Sequence, residues 1–76
     1  MNKRKYYYIV DSNDGVNRRT TFEYAENKFE AEKKARKNHL KLFGSHPFDV
    51  ESFKSTKQIC CNLFGKDMVN IYVKTI

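Results

Sequence analysis

The run from Asn27 to Gly44, NKFEAEKKARKNHLKLFG, constrains the fold more than any other part of the chain. It is the one stretch long enough, and free enough of Gly, Pro and β-branched residues, to predict a helix outright. Both ends are marked. Asn27 is placed to cap the first turn, with Glu30 completing a capping-box pattern. Gly44 stands where a left-handed residue is wanted after a helix, and Pro47 beyond it stops continuation. At about 100° per residue, Ala31, Ala35, Leu42, His39, Phe43, Phe29 and Leu40 fall on one broad arc. The alanines let that arc approach a sheet closely, and the two phenylalanines are expected to supply most of the buried area. Glu32 and Arg36 form an i, i+4 pair at its rim. Lys33, Lys34, Lys37 and Lys41 take the opposite arc, which is either a solvated face or a basic stripe that meets phosphates.

The flanking segments read as strands. Lys3-Arg4-Lys5 leads into Tyr6–Val10, rich in aromatic and β-branched residues. Asp11 to Gly15 is a dense turn cluster with Asp14-Gly15 as its pivot, and Arg18–Ala25 is the returning strand. Phe22 and Tyr24 share one face of that strand, Thr21 and Glu23 the other. In the first strand Tyr7/Ile9 and Tyr6/Tyr8/Val10 both fit as the inward set, and the sequence does not choose. After the helix, Phe48–Phe53 reads as a short strand. Gln58–Phe64 reads as another, with Ile59, Cys61 and Leu63 on one side. Met68–Ile76 shows the cleanest alternation, Val69, Ile71 and Val73 inward against Asn70, Tyr72 and Lys74 outward. The expectation is an α+β fold: an antiparallel sheet of four to five strands with one helix on one face, order ββαββ(β). One helix cannot cover both faces, so the other stays open and displays Tyr72, Asn70 and Lys74.

At 76 residues the chain makes a single small basic domain over 1–76, with residues 1–4 expected as a flexible basic arm. Its net charge of +6 and pI near 9.4 favour acidic partners, with nucleic acid first and acidic protein surfaces second. A membrane partner is not expected, because charges interrupt the apolar arc of the helix. No apolar run approaches a transmembrane span, and Tyr6–Val10 is too short for a signal segment, which points to a cytoplasmic protein. Cys60 and Cys61 are adjacent, a spacing that opposes both an ordinary disulfide and a zinc site; Cys61 is expected buried and Cys60 outward. Abundant Lys, Asn, Ile, Phe and Tyr are common in AT-rich genomes, including those of many phages.

No motif carries catalytic chemistry. The three glycines are far apart and belong to no phosphate-cradling loop. Asp11, Asp14, Asp49 and Asp67 sit where turns and edges want Asp, and His39 lies on the sheet-facing arc of the helix. Neither cofactor nor metal is expected. The sequence therefore points to a non-enzymatic binding module that engages nucleic acid, or a nucleoprotein, through Lys3, Arg4, Lys5, Arg18, Arg19, Lys33, Lys34, Lys37 and Lys41. The alternative is a phage-type inhibitor or adaptor that docks by protein–protein contact on an acidic surface of a larger host protein. A homodimer through the C-terminal strand is a further expectation, since a long strand of that kind invites edge pairing.

Overall fold

In the computed structural model, which describes residues 4–75, the chain runs β1 (Tyr6–Asn13), β2 (Arg18–Ala25), α1 (Lys28–Phe43), β3 (Asp49–Ser55), α2 (Lys57–Phe64) and α3 (Lys66–Thr75). The class is α+β, but the order is ββαβαα. The sheet has three antiparallel strands in the order β2-β1-β3, not four or five. The expected strands at 58–64 and 68–76 are helices. Their alternation is accidental, and a helical spacing runs through the same residues: Cys60, Cys61 and Phe64, then Val69, Tyr72 and Val73, are the ones packed inward. Among the described residues there is therefore no C-terminal strand to pair with another copy.

The local signals at α1 hold. The Asn27 side chain accepts the Glu30 amide at 2.8 Å. Gly44 is left-handed, with φ 75°, and its N–H bonds the Leu40 carbonyl at 2.7 Å. At the hairpin Gly15 supplies the positive φ of 93°, and the Asp14 carboxylate accepts the amides of Val16 and Asn17.

The two inward sets proposed for β1 are both used, one on each face. Tyr8 and Val10 join Ala25, Ala31 and Ala35 beneath α1, with Tyr6 and Val50 packed at the margin. Tyr7 and Ile9 face the other way, onto Phe22, Cys60 and Val69, beneath α2 and α3. The sheet is the middle of three layers. α1 touches it through the stripe Ala31, Ala35 and His39, all buried. The alanines bring the helix backbone so close that flanking side chains pass outside the contact. Phe29 is 67% exposed and Leu42 61%, so Phe29 does not supply the burial expected of it. The cysteines are reversed: Cys60 is buried and Cys61 is half-buried, because a helix rather than a strand carries them.

Candidate polyanion-binding surface

Burial of Ala31, Ala35 and His39 turns the opposite side of α1 to solvent, and Lys33, Lys37 and Lys41 stand there exposed. Spaced four apart, they are on the order of 6 Å from one to the next along the axis. Among the described residues no carboxylate pairs with any of the three. The neighbouring charges are engaged elsewhere. Arg36 leans on Glu32 at 3.9 Å, the i, i+4 pair read from the sequence. Lys34 is half-buried and its ammonium donates to the Tyr24 carbonyl at 3.1 Å.

The strand alternation of β2 separates its two arginines. Arg19 pairs with Ser12 and so shares the α1 face of the sheet. It lines a groove of 310 Å³ with Asn38, Lys41 and Leu42, which extends the lysine ridge down to the sheet edge. Arg18 points to the opposite face. Its guanidinium grips the Asp11 carboxylate, with Nε 3.1 Å and Nη2 2.6 Å from Oδ2. That hydrogen bond holds the Asp11 carboxyl below its ordinary range. Glu51 and Asp49 add their field to the same guanidinium. Arg18 thus belongs to an acidic strip and not to the basic ridge.

Arg4 and Lys5 lie at the far end of the sheet. Arg4 sits 5.4 Å from the Tyr6 ring centre and Lys54 3.8 Å from it, while Lys5 is 6.0 Å from the Tyr24 ring. Tyr24, tilted against Tyr7 at 4.7 Å, is thus touched by Lys5 on its ring and by Lys34 on its carbonyl. Lys3, with residues 1–3 of the expected arm, lies outside the described residues.

The expected open sheet face does not exist in the form foreseen, because α2 and α3 pack against it. Tyr72, Asn70 and Lys74 are all on α3. Tyr72 meets Phe22 edge-on at 5.2 Å, and its hydroxyl donates to the carboxylate of Glu23. Asn38 of α1 donates to the other oxygen at 3.2 Å. Glu23 is buried, so desolvation pushes its pKa up against those two hydrogen bonds. Burial and the adjacent carboxylate raise Tyr72 strongly as well. Asn70 is half-buried and Lys74 is exposed.

A second polar cluster has no counterpart in the sequence reading. His39 Nδ1 lies 2.8 Å from Ser12 Oγ, and its Nε2 lies 2.9 Å from Asp14 Oδ2. Ser45 donates to the same carboxylate oxygen. These are the residue types of a Ser-His-Asp nucleophile relay. Ser12 is 1% exposed and His39 0%, beneath α1, so no substrate atom can reach the hydroxyl. The cluster stitches the hairpin tip to the far half of α1. His39 and Cys60 lie on opposite sides of the sheet. Among the described residues no group of three or more His, Cys, Asp and Glu side chains is arranged to hold a metal, and no helix is long and apolar enough to cross a membrane.

No protein-family model, no curated protein and no solved structure matches this chain.

Proposed function

We propose that the chain is a small cytoplasmic binding module that engages nucleic acid, or a nucleoprotein, through the ridge Lys33–Lys37–Lys41 and the adjoining Arg19. The observation that carries this reading is the groove shared by Arg19 and Lys41, which joins β2 to one end of the Lys33–Lys37–Lys41 ridge, whose lysines pair with no carboxylate among the described residues. Such contacts fall on phosphates and position the partner without reading its sequence. Four cations give a slope of log affinity against log salt of about −3. The test is binding to short single- and double-stranded oligonucleotides at two salt concentrations. Changing Lys33, Lys37 and Lys41 together to Glu should abolish binding and leave the circular dichroism spectrum unaltered. Parent protein with no affinity at low salt overturns the proposal.

A second reading, docking by protein–protein contact on a larger protein, is favoured by the apolar surface of α2 and α3. Ile59 is 46% exposed there, Leu63 62%, Met68 64% and Ile71 62%, more apolar surface than a solvated helix pair needs. Binding of that kind should survive loss of the α1 lysines and fail on Leu63→Ala or Ile71→Ala.

A further inference from the structure

At the β2 edge of the sheet, α1 and α3 approach each other from opposite faces. Asn38 of α1 and Tyr72 of α3 both reach Glu23 there, one on each carboxylate oxygen. The 310 Å³ groove beside Lys41 and Leu42 does not end at Arg19 and Asn38. The same two residues line a second hollow of 120 Å³, which leads past Thr21 to Phe22, Met68 and Tyr72. The two hollows together form one trough.

Its two ends differ in chemistry. At one end Lys41 and Arg19 are cations with no carboxylate partner among the described residues. At the other stand two aromatic rings, a thioether and the carboxylate of Glu23. Tyr72 meets Phe22 edge-on at 5.2 Å and is tied to Glu23, so this wall is fixed before any ligand arrives. Met68 beside it is 64% exposed. The carboxylate accepts hydrogen bonds and repels a phosphate, so an anion belongs at the Lys41 end. A nucleotide has the same polarity. Its phosphate is an anion, and its base is an uncharged ring with N–H donors and a π face.

We infer that this trough seats one nucleotide of a single-stranded nucleic acid, its phosphate on Arg19 and Lys41 and its base against Met68 and Tyr72. The inference rests on the reading of the lysine ridge as a phosphate-binding surface and adds the strand form which that surface selects. A duplex can lay its phosphates along Lys33, Lys37 and Lys41. Its base faces stay stacked on one another and cannot enter a hollow of 120 Å³. A single strand turns a base out at little cost. Charge alone would favour the duplex, which releases about 0.9 counterions per phosphate against about 0.7 for a single strand. A preference for the single strand at equal salt therefore reports the base and not the backbone.

The experiment is titration with a short oligonucleotide in single-stranded, duplex and fully abasic single-stranded form, all at the same low salt. The parent should bind the intact single strand at least about tenfold more tightly than either of the others. Met68→Ala should weaken single-strand binding about threefold and leave the duplex value unchanged. Met68→Trp enlarges the stacking surface and should strengthen single-strand binding alone. The chain has no tryptophan of its own, so the fluorescence of that indole reports the trough directly. The intact single strand should quench it, and the abasic strand should not. Met68 is exposed, so both variants should melt like the parent. Equal affinity for the intact and abasic strands, a parent that prefers the duplex, or an indole left unquenched overturns the inference and leaves the phosphate-binding reading standing. Absence of binding to all three forms overturns both.

Discussion

The imidazole of His39 lies 2.9 Å from the carboxylate of Asp14, with neither side chain more than 3% exposed. One ring therefore serves two partners that the chain places far apart, the hairpin tip and, through Ser12, the centre of the sheet. His39→Ala leaves a cavity and strips both partners of their hydrogen bond. A loss of about 3 kcal/mol is expected from urea denaturation at neutral pH. An unchanged midpoint would mean the cluster does not hold the hairpin to α1.

The two buried carboxylates make opposite contributions to the pH profile. Glu23 is raised, so the folded state binds its proton more tightly and stability increases as pH falls from neutral toward about 5. Asp14 is lowered, first by the Ser45 hydroxyl and then by the Asn17 amide and His39. Its contribution is full above the ordinary carboxylate pKa and is lost as pH falls below about 4. Urea midpoints should therefore peak in mildly acidic buffer. Glu23→Gln should flatten the limb between neutral pH and the peak; if it does not, Glu23 is not the group responsible.

Ala35 lies on the buried stripe by which α1 meets the sheet and is 1% exposed. Ala35→Arg forces a long charged side chain into that contact, at a cost of about 3 kcal/mol or more. A thermal melt indistinguishable from the parent would show the buried stripe of α1 to be misassigned.

The separation of Arg18 from Arg19 can be read directly in oligonucleotide titrations. Arg19→Gln should reduce the salt slope by about 1, as one phosphate contact is lost. Arg18→Gln should leave it unchanged, because that guanidinium already faces Asp11. Equal losses in the two variants would place the binding surface elsewhere.

Cys60 is fully buried, and burial pushes its thiol pKa up, whereas Cys61 is half-buried. A thiol reagent at about pH 8 should therefore modify one cysteine quickly and the second only after unfolding. Two equally fast thiols would contradict the helical placement of this pair.

The hairpin and α1 are legible in the sequence because their signals are local: Asn27, Gly44 and Asp14-Gly15 act within a few residues of themselves. The region from Gln58 onward is not legible in the same way. Val69 and Val73 fit a strand period and a helix period equally well, and the alternation of Val69, Ile71 and Val73 with Asn70, Tyr72 and Lys74 favours strand. What decides it is tertiary. Ile9 and Phe22 leave the second face of a three-stranded sheet apolar, and two short helices cover it where further strands would only widen it. The candidate surface is legible in part. Lysine spacing on α1 shows a ridge, but the loss of Arg18 to Asp11 and the recruitment of Arg19 depend on strand facing and pairing. The Ser12–His39–Asp14 cluster had no signal beyond the placement of His39 on the inward arc.

The placement of β1 between two cores also sets an order of assembly. One core draws only on residues from Tyr6 to Val50, and the second needs Cys60 to Val73 as well. A chain emerging from the ribosome can therefore complete the α1 side while Ile9 and Phe22 on the reverse are still wet. For that interval the nascent chain is a two-layer intermediate with an uncovered apolar sheet, and its exposure to aggregation ends when Val69 and Tyr72 arrive.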